Sequence, residues 1–149
     1  MIAVVQRVSE ASVIIDDKIH NKIRRGFLVL LGIKKGDTIT SLKTLAKKVI
    51  DLRIFPDENE KMNLSLKDVD GEVLVVSQFT LCSDNDKSGN RPSFIFAEEP
   101  DKASVLYYKF INELKEHYKS NKVFGGVFAA YMKIKLENDG PVTIILERN

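Results

Sequence analysis

The stretch Gly26-Phe27-Leu28-Val29-Leu30-Leu31-Gly32-Ile33 is an unbroken apolar run bounded by glycines. A run of this kind is typical of a β-strand covered on both faces, because a strand with one solvent-exposed face would carry a polar residue at every second position. We therefore predict that this strand is central and that the core is built around it.

Hydrophobic patterning predicts a hairpin before this strand and a helix after it. Residues 1–33 are rich in Val, Ile and Leu, and Asp16-Asp17-Lys18 interrupts that pattern, as the turn of a hairpin does. Asp37-Thr38 can cap a helix whose apolar residues share one face, namely Ile39, Leu42, Leu45, Ala46, Val49 and Ile50. Its lysines, Lys43, Lys47 and Lys48, point elsewhere, which favours a solvated surface over contact with a nucleic acid backbone.

The second half of the chain alternates turn-rich and periodic segments. Residues 56–71 hold many turn formers and predict a looped connection with short strands, followed by a strand from Glu72 to Leu81. Residues 84–100 are polar and broken by Gly and Pro, which predicts a long, ordered surface loop. Asp101 is expected to cap a second amphipathic helix that ends near Tyr118.

The last third predicts two further strands. Met132, Ile134 and Leu136 alternate with polar or exposed residues, so one face of this strand should be buried. Asn138-Asp139-Gly140-Pro141 is expected to form a four-residue turn into an antiparallel strand over residues 142–146. The predicted order is β-β-β-α-β-β-α-β-β. The predicted class is α+β, a single domain over residues 1–149 with a curved, mostly antiparallel, barrel-like sheet and two amphipathic helices.

Composition narrows the classes of protein. With 149 residues, 44% of them hydrophobic, the chain suits one core, and a net charge of +2 implies that any nucleic acid contact is local. Its one cysteine, Cys82, excludes an intrachain disulfide and a multi-cysteine zinc site, and is expected to fill the core or its edge. The chain has neither a targeting pattern nor a membrane-length apolar run, so we expect a soluble cytoplasmic protein without a membrane partner.

Several kinds of catalytic site are missing from the sequence. His20 and His117 have no companion motif, so neither a metal nor another cofactor is expected. The glycines around Lys34-Lys35 do not form a phosphate loop, and there is no nucleophile elbow. If the chain is an enzyme, backbone groups or the substrate itself must do much of the chemistry.

Three segments could nevertheless carry function. Ser77 and Gln78 follow a strongly apolar run, so either one of them is buried and hydrogen-bonded or the strand ends there. Gly140-Pro141 is either an ordinary turn device or a cis peptide that fixes the direction of backbone carbonyls. Gly89-Asn90-Arg91-Pro92-Ser93-Phe94 is either a rigid loop anchor or a functional loop with a cation and an aromatic.

Six segments together resemble the D-aminoacyl-tRNA deacylase family, also called D-Tyr-tRNA deacylase, nearly end to end. They are Ala3-Val4-Val5-Gln6-Arg7-Val8, Leu52-Arg53-Ile54-Phe55, Met62-Asn63-Leu64-Ser65, Ser77-Gln78-Phe79-Thr80-Leu81, Asn90-Arg91-Pro92-Ser93-Phe94 and Asn138-Asp139-Gly140-Pro141-Val142-Thr143. The resemblance implies a homodimer that hydrolyses D-aminoacyl-tRNA. In it a cis Gly140-Pro141 turn, held by Arg7, enters the partner's active site and excludes L-amino acids. Glycine, which has no side chain, would also be accepted. The expected substrate-binding residues are therefore Arg7, Gly140, Pro141, Asn138 and Met132.

The resemblance also implies the catalytic segment, Ser77, Gln78, Phe79 and Thr80. Backbone N–H groups near Phe79 and Thr80 would stabilise the oxyanion, and the terminal ribose 2′-hydroxyl of the tRNA would help to activate water. Thr80 as a nucleophile lacks an evident base. The chain departs from the family pattern at Gly125, Ala129 and Cys82, which affects the expected shape of the pocket.

Two other functions compete with this hypothesis. Lys34-Lys35, Lys47-Lys48 and the Arg91 loop are compatible with a noncatalytic RNA-binding module, although the net charge is modest. A metal-free esterase that acts on small molecules would hydrolyse free D-aminoacyl esters as well as the tRNA substrate. A release assay on D-Tyr-tRNA and L-Tyr-tRNA separates the deacylase from the RNA-binding module.

Overall fold

A six-stranded sheet organises the fold in the computed structural model, which describes residues 1–84 and 89–149. The strands in chain order are β1 (Ile2–Ile15), β2 (Lys18–Ile23), β3 (Gly26–Gly32), β4 (Phe55–Pro56), β5 (Met62–Leu64), β6 (Glu72–Ser77), β7 (Val123–Gly125) and β8 (Lys133–Glu147). The α-helices are α1 (Ile39–Ile50), α2 (Leu66–Val69) and α3 (Pro100–His117), and Phe79–Cys82 and Ser120–Lys122 form 3-10 turns.

The large sheet has the strand order β2-β1-β3-β6-β7, with β8 on the other edge of β1. The pairs that include β1 are antiparallel, whereas β3 with β6 and β6 with β7 are parallel, because the connections between them pass through helices. The two distant edges approach each other where Asn21 Nδ2 of β2 donates to Gly125 O of β7 at 2.6 Å. The predicted α+β class and curved sheet are confirmed; the large sheet is nearly closed, and β4 and β5 form a separate two-stranded sheet.

The apolar run at residues 26–33 is central, as predicted, and both of its faces are covered. Phe27, Val29 and Leu31 belong to a core that includes α1 and α3, whereas Leu28 belongs to a second cluster with residues of β1 and β6. Phe27 also stacks on Phe55, with ring centroids 5.1 Å apart. Since successive strand residues face opposite sides, this division explains why no polar residue interrupts the run.

The predicted strand from Glu72 to Leu81 is too long, because β6 ends at Ser77. Gln78 N donates to Leu31 O at 2.8 Å, next to the last residue of the neighbouring β3, and the chain then turns into the 3-10 helix. The strand therefore ends where its partner strand ends. Of the two explanations offered for the adjacent polar residues Ser77 and Gln78, the end of the strand is the one observed.

The predicted turn at residues 138–141 between two strands is wrong. Lys133–Glu147 is one strand that follows β1 along most of its length. In that register Thr143 pairs with Gln6 and Asn138 pairs with Val8, so the residues between them bulge out of the ladder. The long edge of β1 supplies pairing partners on both sides of the bulge, and the Asn-Asp-Gly-Pro segment therefore does not reverse the chain.

The helices follow the sequence pattern closely. Thr38 caps α1 in a capping box with Ser41, and α3 begins at Pro100 with Glu99 at the N-cap, so Asp101 lies in the first turn and is not the cap, contrary to prediction. The short helix α2 and the three-residue strand β7 were not predicted, since elements of this length have no full hydrophobic period.

Candidate active site

A cavity of about 640 Å³ opens beside the end of β6. Four segments line it: the end of β3 and the residues after it, residues 76–79, the stretch from Phe94 into the start of α3, and residues 128–134. Ser77, Gln78, Phe79 and Met132, four of the residues expected at the site, line this cavity. The fold therefore brings three of the four expected catalytic residues and Met132 to one cavity, whereas Thr80 follows Phe79 and does not line it.

The catalytic segment changes from strand to 3-10 helix at the cavity. Phe79 and Thr80 are the first two residues of that helix, and its described hydrogen bond runs from Leu81 N to Gln78 O at 3.2 Å. The first N–H groups of any helix have no acceptor inside it. The local geometry therefore leaves the amides of Phe79 and Thr80 available to an external acceptor such as a developing oxyanion.

The described hydrogen-bond partner of the Thr80 side chain is an amide, not a base. Gln78 Nε2 donates to Thr80 Oγ1 at 2.6 Å, and both side chains are accessible. A carboxamide does not remove a proton from a hydroxyl at neutral pH. This geometry orients the hydroxyl of Thr80 without activating it as a nucleophile.

Phe94 brings the long loop onto the catalytic segment. Its ring packs edge-to-face on Phe79, with centroids 5.0 Å apart and an interplanar angle of 77°, while 59% of Phe79 remains exposed. The described part of the loop is held at isolated bridges, Lys34 with Ala97 and Asp84 with Ser93. The prediction of an ordered loop is supported for residue 84 and residues 89–100, and residues 85–88 of that prediction lie outside the described residues. Arg91 is exposed.

The rim of the cavity carries charged residues, of which the sequence marked Lys35 alone, as a possible contact with RNA. Lys35 Nζ lies 3.7 Å from Glu99 Oε1. The Glu98 carboxylate accepts a 2.6 Å hydrogen bond from Lys102 Nζ, and this bond holds the pKa of Glu98 below its ordinary value. An apolar cavity with a charged rim suits a ligand that has both an apolar and a polar part.

A turn at residues 127–130 supplies another wall, of which the sequence marked only Ala129, as a departure expected to affect the shape of the pocket. Ala130 N donates to Val127 O at 3.2 Å, and Phe128, Ala129 and Ala130 line the cavity. The signal for this wall was the glycine pair Gly125-Gly126 just before it, which interrupts the apolar pattern at the end of β7.

The Gly140-Pro141 peptide is cis, and both residues are exposed on the bulge of β8. Arg7, only 8% exposed, donates from Nε to Asp139 O at 2.8 Å and from Nη1 to Ile54 O at 2.5 Å. Asn138 spans the bulge, since its Oδ1 accepts from Val142 N at 2.7 Å and its Nδ2 donates to Val142 O at 3.3 Å. The bulge is thus held at both ends.

The bulge does not line the cavity of its own chain. Arg7, Asn138, Gly140 and Pro141 are all outside the cavity wall that contains Ser77, Gln78 and Phe79. The fold therefore forms two separate groups from the expected site residues, one around the cavity and one around the bulge.

The three residues expected to depart from the family pattern have different environments. Cys82 is 2% exposed and its Sγ donates to Ile33 O at 3.4 Å, so the prediction of a core position is confirmed, and burial raises the pKa of its thiol. A Cβ on Gly125 would lie 2.6 Å from Ile111 Cδ1. Ala129 has a φ of +61° at the cavity.

Among the residues that the structure describes, no group of three or more His, Cys, Asp or Glu is arranged to hold a metal ion. No helix in this described part is long and apolar enough to cross a membrane.

Sequence comparison connects this geometry to a family. The family model described as D-Tyr-tRNA(Tyr) deacylase matches residues 4–147. A D-aminoacyl-tRNA deacylase of Thermotoga petrophila is 55% identical over 147 residues, which cover 99% of this chain and 97% of the relative. Proteins with the same name from Magnetococcus marinus and Lactobacillus gasseri are 53% and 51% identical, each over 99% of this chain and over 96% and 99% of the relative.

Solved structures have the same fold. One described as "c-Myc DNA Unwinding Element Binding Protein" has a TM-score of 0.94 and 41% identity, covering 100% of this chain and 99% of that chain. Another, described as "Structural Analysis of a probable eukaryotic D-amino acid tRNA deacylase", has a TM-score of 0.80 over 97% of each chain, and at 16% identity it is evidence for the fold alone. The family resemblance of the six sequence segments is confirmed, and the chain belongs to the D-aminoacyl-tRNA deacylase family of hydrolases.

Proposed function

We propose that this chain hydrolyses the ester bond of D-aminoacyl-tRNA at the cavity beside β6, releasing a free D-amino acid and tRNA. The observation that carries this proposal is the pair of amides of Phe79 and Thr80, which have no acceptor within their helix, at a point where Phe79 lines an apolar cavity and Thr80 is the next residue. Ester hydrolysis passes through a tetrahedral oxyanion, and two such amides are suited to stabilise it. No metal or other cofactor takes part in the proposed reaction.

A matched pair of variants tests the role of the Phe79 amide. Phe79→Pro removes both the ring and the N–H group, whereas Phe79→Ala removes the ring alone. Proline is tolerated at the first position of a helix, so the backbone should remain in place. We expect kcat for D-Tyr-tRNA to be about 100-fold lower in Phe79→Pro than in Phe79→Ala, in line with the loss of one oxyanion donor. Equal kcat values for the two variants would remove this amide from the mechanism.

The attacking water is proposed to be activated by the 2′-hydroxyl of the terminal adenosine of the tRNA. The support is that the Thr80 hydroxyl accepts a hydrogen bond from Gln78 and has no described basic partner. Thr80→Ala should therefore keep substantial activity in single-turnover hydrolysis of D-Tyr-tRNA. A loss greater than about 10⁴-fold, beyond the usual range of general acid-base effects, would instead favour Thr80 as the nucleophile.

Chiral selection is proposed to arise in a homodimer, where the Gly140-Pro141 bulge of one chain enters the cavity of the other. Three features support this: the bulge is exposed, Arg7 and Asn138 hold it, and it does not line its own cavity. Exposed apolar residues on β8 are also compatible with a partner, since Leu136 is 38% and Ile145 is 70% exposed. The carbonyls of the bulge would crowd an L substituent and leave room for a D side chain or for glycine.

A mixing experiment tests whether the bulge acts on the partner's cavity. Arg7→Ala, or Asn138→Ala if the first variant does not fold, should loosen the bulge and permit hydrolysis of L-Tyr-tRNA. An excess of the Phe79→Pro chain, which is expected to be slow and keeps its own bulge, should then restore rejection of L-Tyr-tRNA in mixed dimers while hydrolysis of D-Tyr-tRNA persists. If rejection is not restored in dimers shown to have exchanged, the bulge does not act across the interface.

The release assay on D-Tyr-tRNA, L-Tyr-tRNA and glycyl-tRNA tests the function as a whole. We expect release from the D-aminoacyl and glycyl substrates and little from the L substrate. Binding of tRNA without D-selective release would support the noncatalytic RNA-binding alternative and overturn the proposal. Such a function belongs in the cytoplasm, where aminoacyl-tRNA is made and used.

A further inference from the structure

Ala129 has an unusual backbone conformation for its residue type. It is one of five described non-glycine residues with positive φ, and the others, Asp16, Asp17, Glu60 and Asp70, are exposed or partly exposed acidic residues outside the cavity. Ala129 has a φ of +61° and lines the cavity. Glycine adopts this conformation without the steric cost that a Cβ brings, so the methyl group of Ala129 is kept at the expense of stability.

Contacts with α3 hold the turn that contains Ala129. Tyr108 Oη accepts from Phe128 N at 3.4 Å, and Tyr107 Oη lies 3.3 Å from Gly126 O as well as 2.8 Å from Val75 O. The ring of Tyr107 also lies 5.9 Å from that of Phe128. A strained conformation persists when its surroundings over-determine it in this way, and such positions cluster at functional sites.

We propose that Ala129 is a specificity-determining residue, whose methyl group narrows the mouth of the cavity and limits the size of the acyl group that is cleaved efficiently. The inference rests on the proposed function of the cavity. Ala129 is exposed, so it lies at the mouth rather than in the depth of the cavity. The part of the substrate that differs between D-aminoacyl-tRNAs is the amino acid side chain, so a wall residue at the mouth can distinguish these substrates by size.

Ala129→Gly and the control Glu60→Gly separate the two effects of the methyl group. Glu60 has a φ of +60° on an exposed turn outside the cavity. Both variants relieve a left-handed conformation, and each should raise the unfolding midpoint by roughly 2–4 °C, measured by thermal denaturation. Only Ala129→Gly should change the ratio of kcat/KM for D-Tyr-tRNA to that for D-Ala-tRNA. We expect a shift of about tenfold towards the larger substrate, the scale of one methyl or methylene group in a pocket.

Each outcome decides between the possibilities. An active Ala129→Gly enzyme with the wild-type ratio of kcat/KM values would overturn the inference and leave the proposed function intact. An equal change for both substrates would place the methyl group against the common tRNA part and would also overturn it. A wild-type chain that releases neither D-amino acid would overturn the proposed function together with this inference.

Discussion

Arg7 connects segments that lie 132 and 47 residues away in sequence, since its guanidinium donates to Asp139 O and Ile54 O. Arg7 is almost fully buried, and its bond to Ile54 O is buried, whereas its bond to Asp139 O is partly exposed. A buried acceptor left without a partner costs about 1–3 kcal/mol. The planar fork of arginine is therefore a structural requirement of the bulge on β8, whatever role the bulge has in catalysis.

Arg7→Lys should lower the stability of the fold although it keeps the charge. The ammonium group of the shorter lysine side chain does not reproduce the two directed hydrogen bonds of the guanidinium. We therefore expect the free energy of unfolding, measured by urea denaturation, to fall by about 1–3 kcal/mol. Arg91→Lys, at an exposed position of the long loop, is the control and should be neutral. An Arg7→Lys protein as stable as the wild type would mean that the carbonyls find other partners.

At the scale of elements, the contact between β7 and α3 leaves little room for a side chain at residue 125. A Cβ there would lie 2.6 Å from Ile111 Cδ1 and 3.2 Å from Tyr107 Oη. Glycine at residue 125 thus fits closely against the residues of α3 that pack over it.

The packing of these residues predicts a compensating pair. Gly125→Ala alone should cost about 1–3 kcal/mol by overpacking, and Ile111→Val alone about 0.5–1.5 kcal/mol by loss of a methylene group. Because the valine removes the atom nearest to the new methyl group, the double variant should be more stable than the sum of the two losses predicts. A double-mutant cycle by urea denaturation measures the coupling, and strict additivity would contradict the packing argument.

The end of β8 is joined to the segment after β3 by an ion pair, in which Lys34 Nζ lies 2.7 Å from Glu147 Oε1. Their hydrogen bond lowers the pKa of Glu147 and raises that of Lys34. A carboxyl group whose pKa is lowered by folding stabilises the folded protein at pH values above its pKa in the unfolded chain. This stability is lost as the pH falls through the pKa of the group in the folded protein. A lysine whose pKa is raised by folding contributes stability that is lost at high pH, as the pH rises through the pKa of the lysine in the folded protein.

Glu147→Gln should therefore reduce the loss of stability between neutral and acidic pH. The effect should be small, about 0.2–1 kcal/mol, because the pair is partly exposed to solvent. Urea denaturation at pH 7 and pH 3 measures it, with Glu116→Gln at an exposed position of α3 as the control. Equal pH dependence in the wild type and Glu147→Gln would show that the pair does not contribute.

At the scale of the whole molecule, the proposed active site requires two chains, because the cavity and the bulge are separate within one chain. Rejection of L-Tyr-tRNA should therefore depend on protein concentration. On dilution through the dissociation constant of the dimer, measured by light scattering or sedimentation, we expect rejection of the L substrate to disappear in step with the dimer. Rejection that persists in the monomer would place chiral selection within a single chain.

Local sequence was sufficient to predict several features of this protein. The apolar run at residues 26–33 predicted the central strand, and the periodicity of residues 39–50 and 101–118 predicted α1 and α3 within one or two residues, because burial of one face or of both requires those patterns. The six segments predicted the family membership that the comparisons confirmed.

Other features depended on tertiary structure. Whether β8 turns at residues 138–141 was decided by the long edge of β1, and whether β6 continues to Leu81 was decided by the end of β3, since a strand exists only where another strand pairs with it. The wall at residues 127–130 and the left-handed Ala129 also escaped the sequence pattern. Hydrophobic periodicity reports which residues are buried, but pairing partners and backbone strain are set by residues distant in the chain, and those became apparent only in the folded protein.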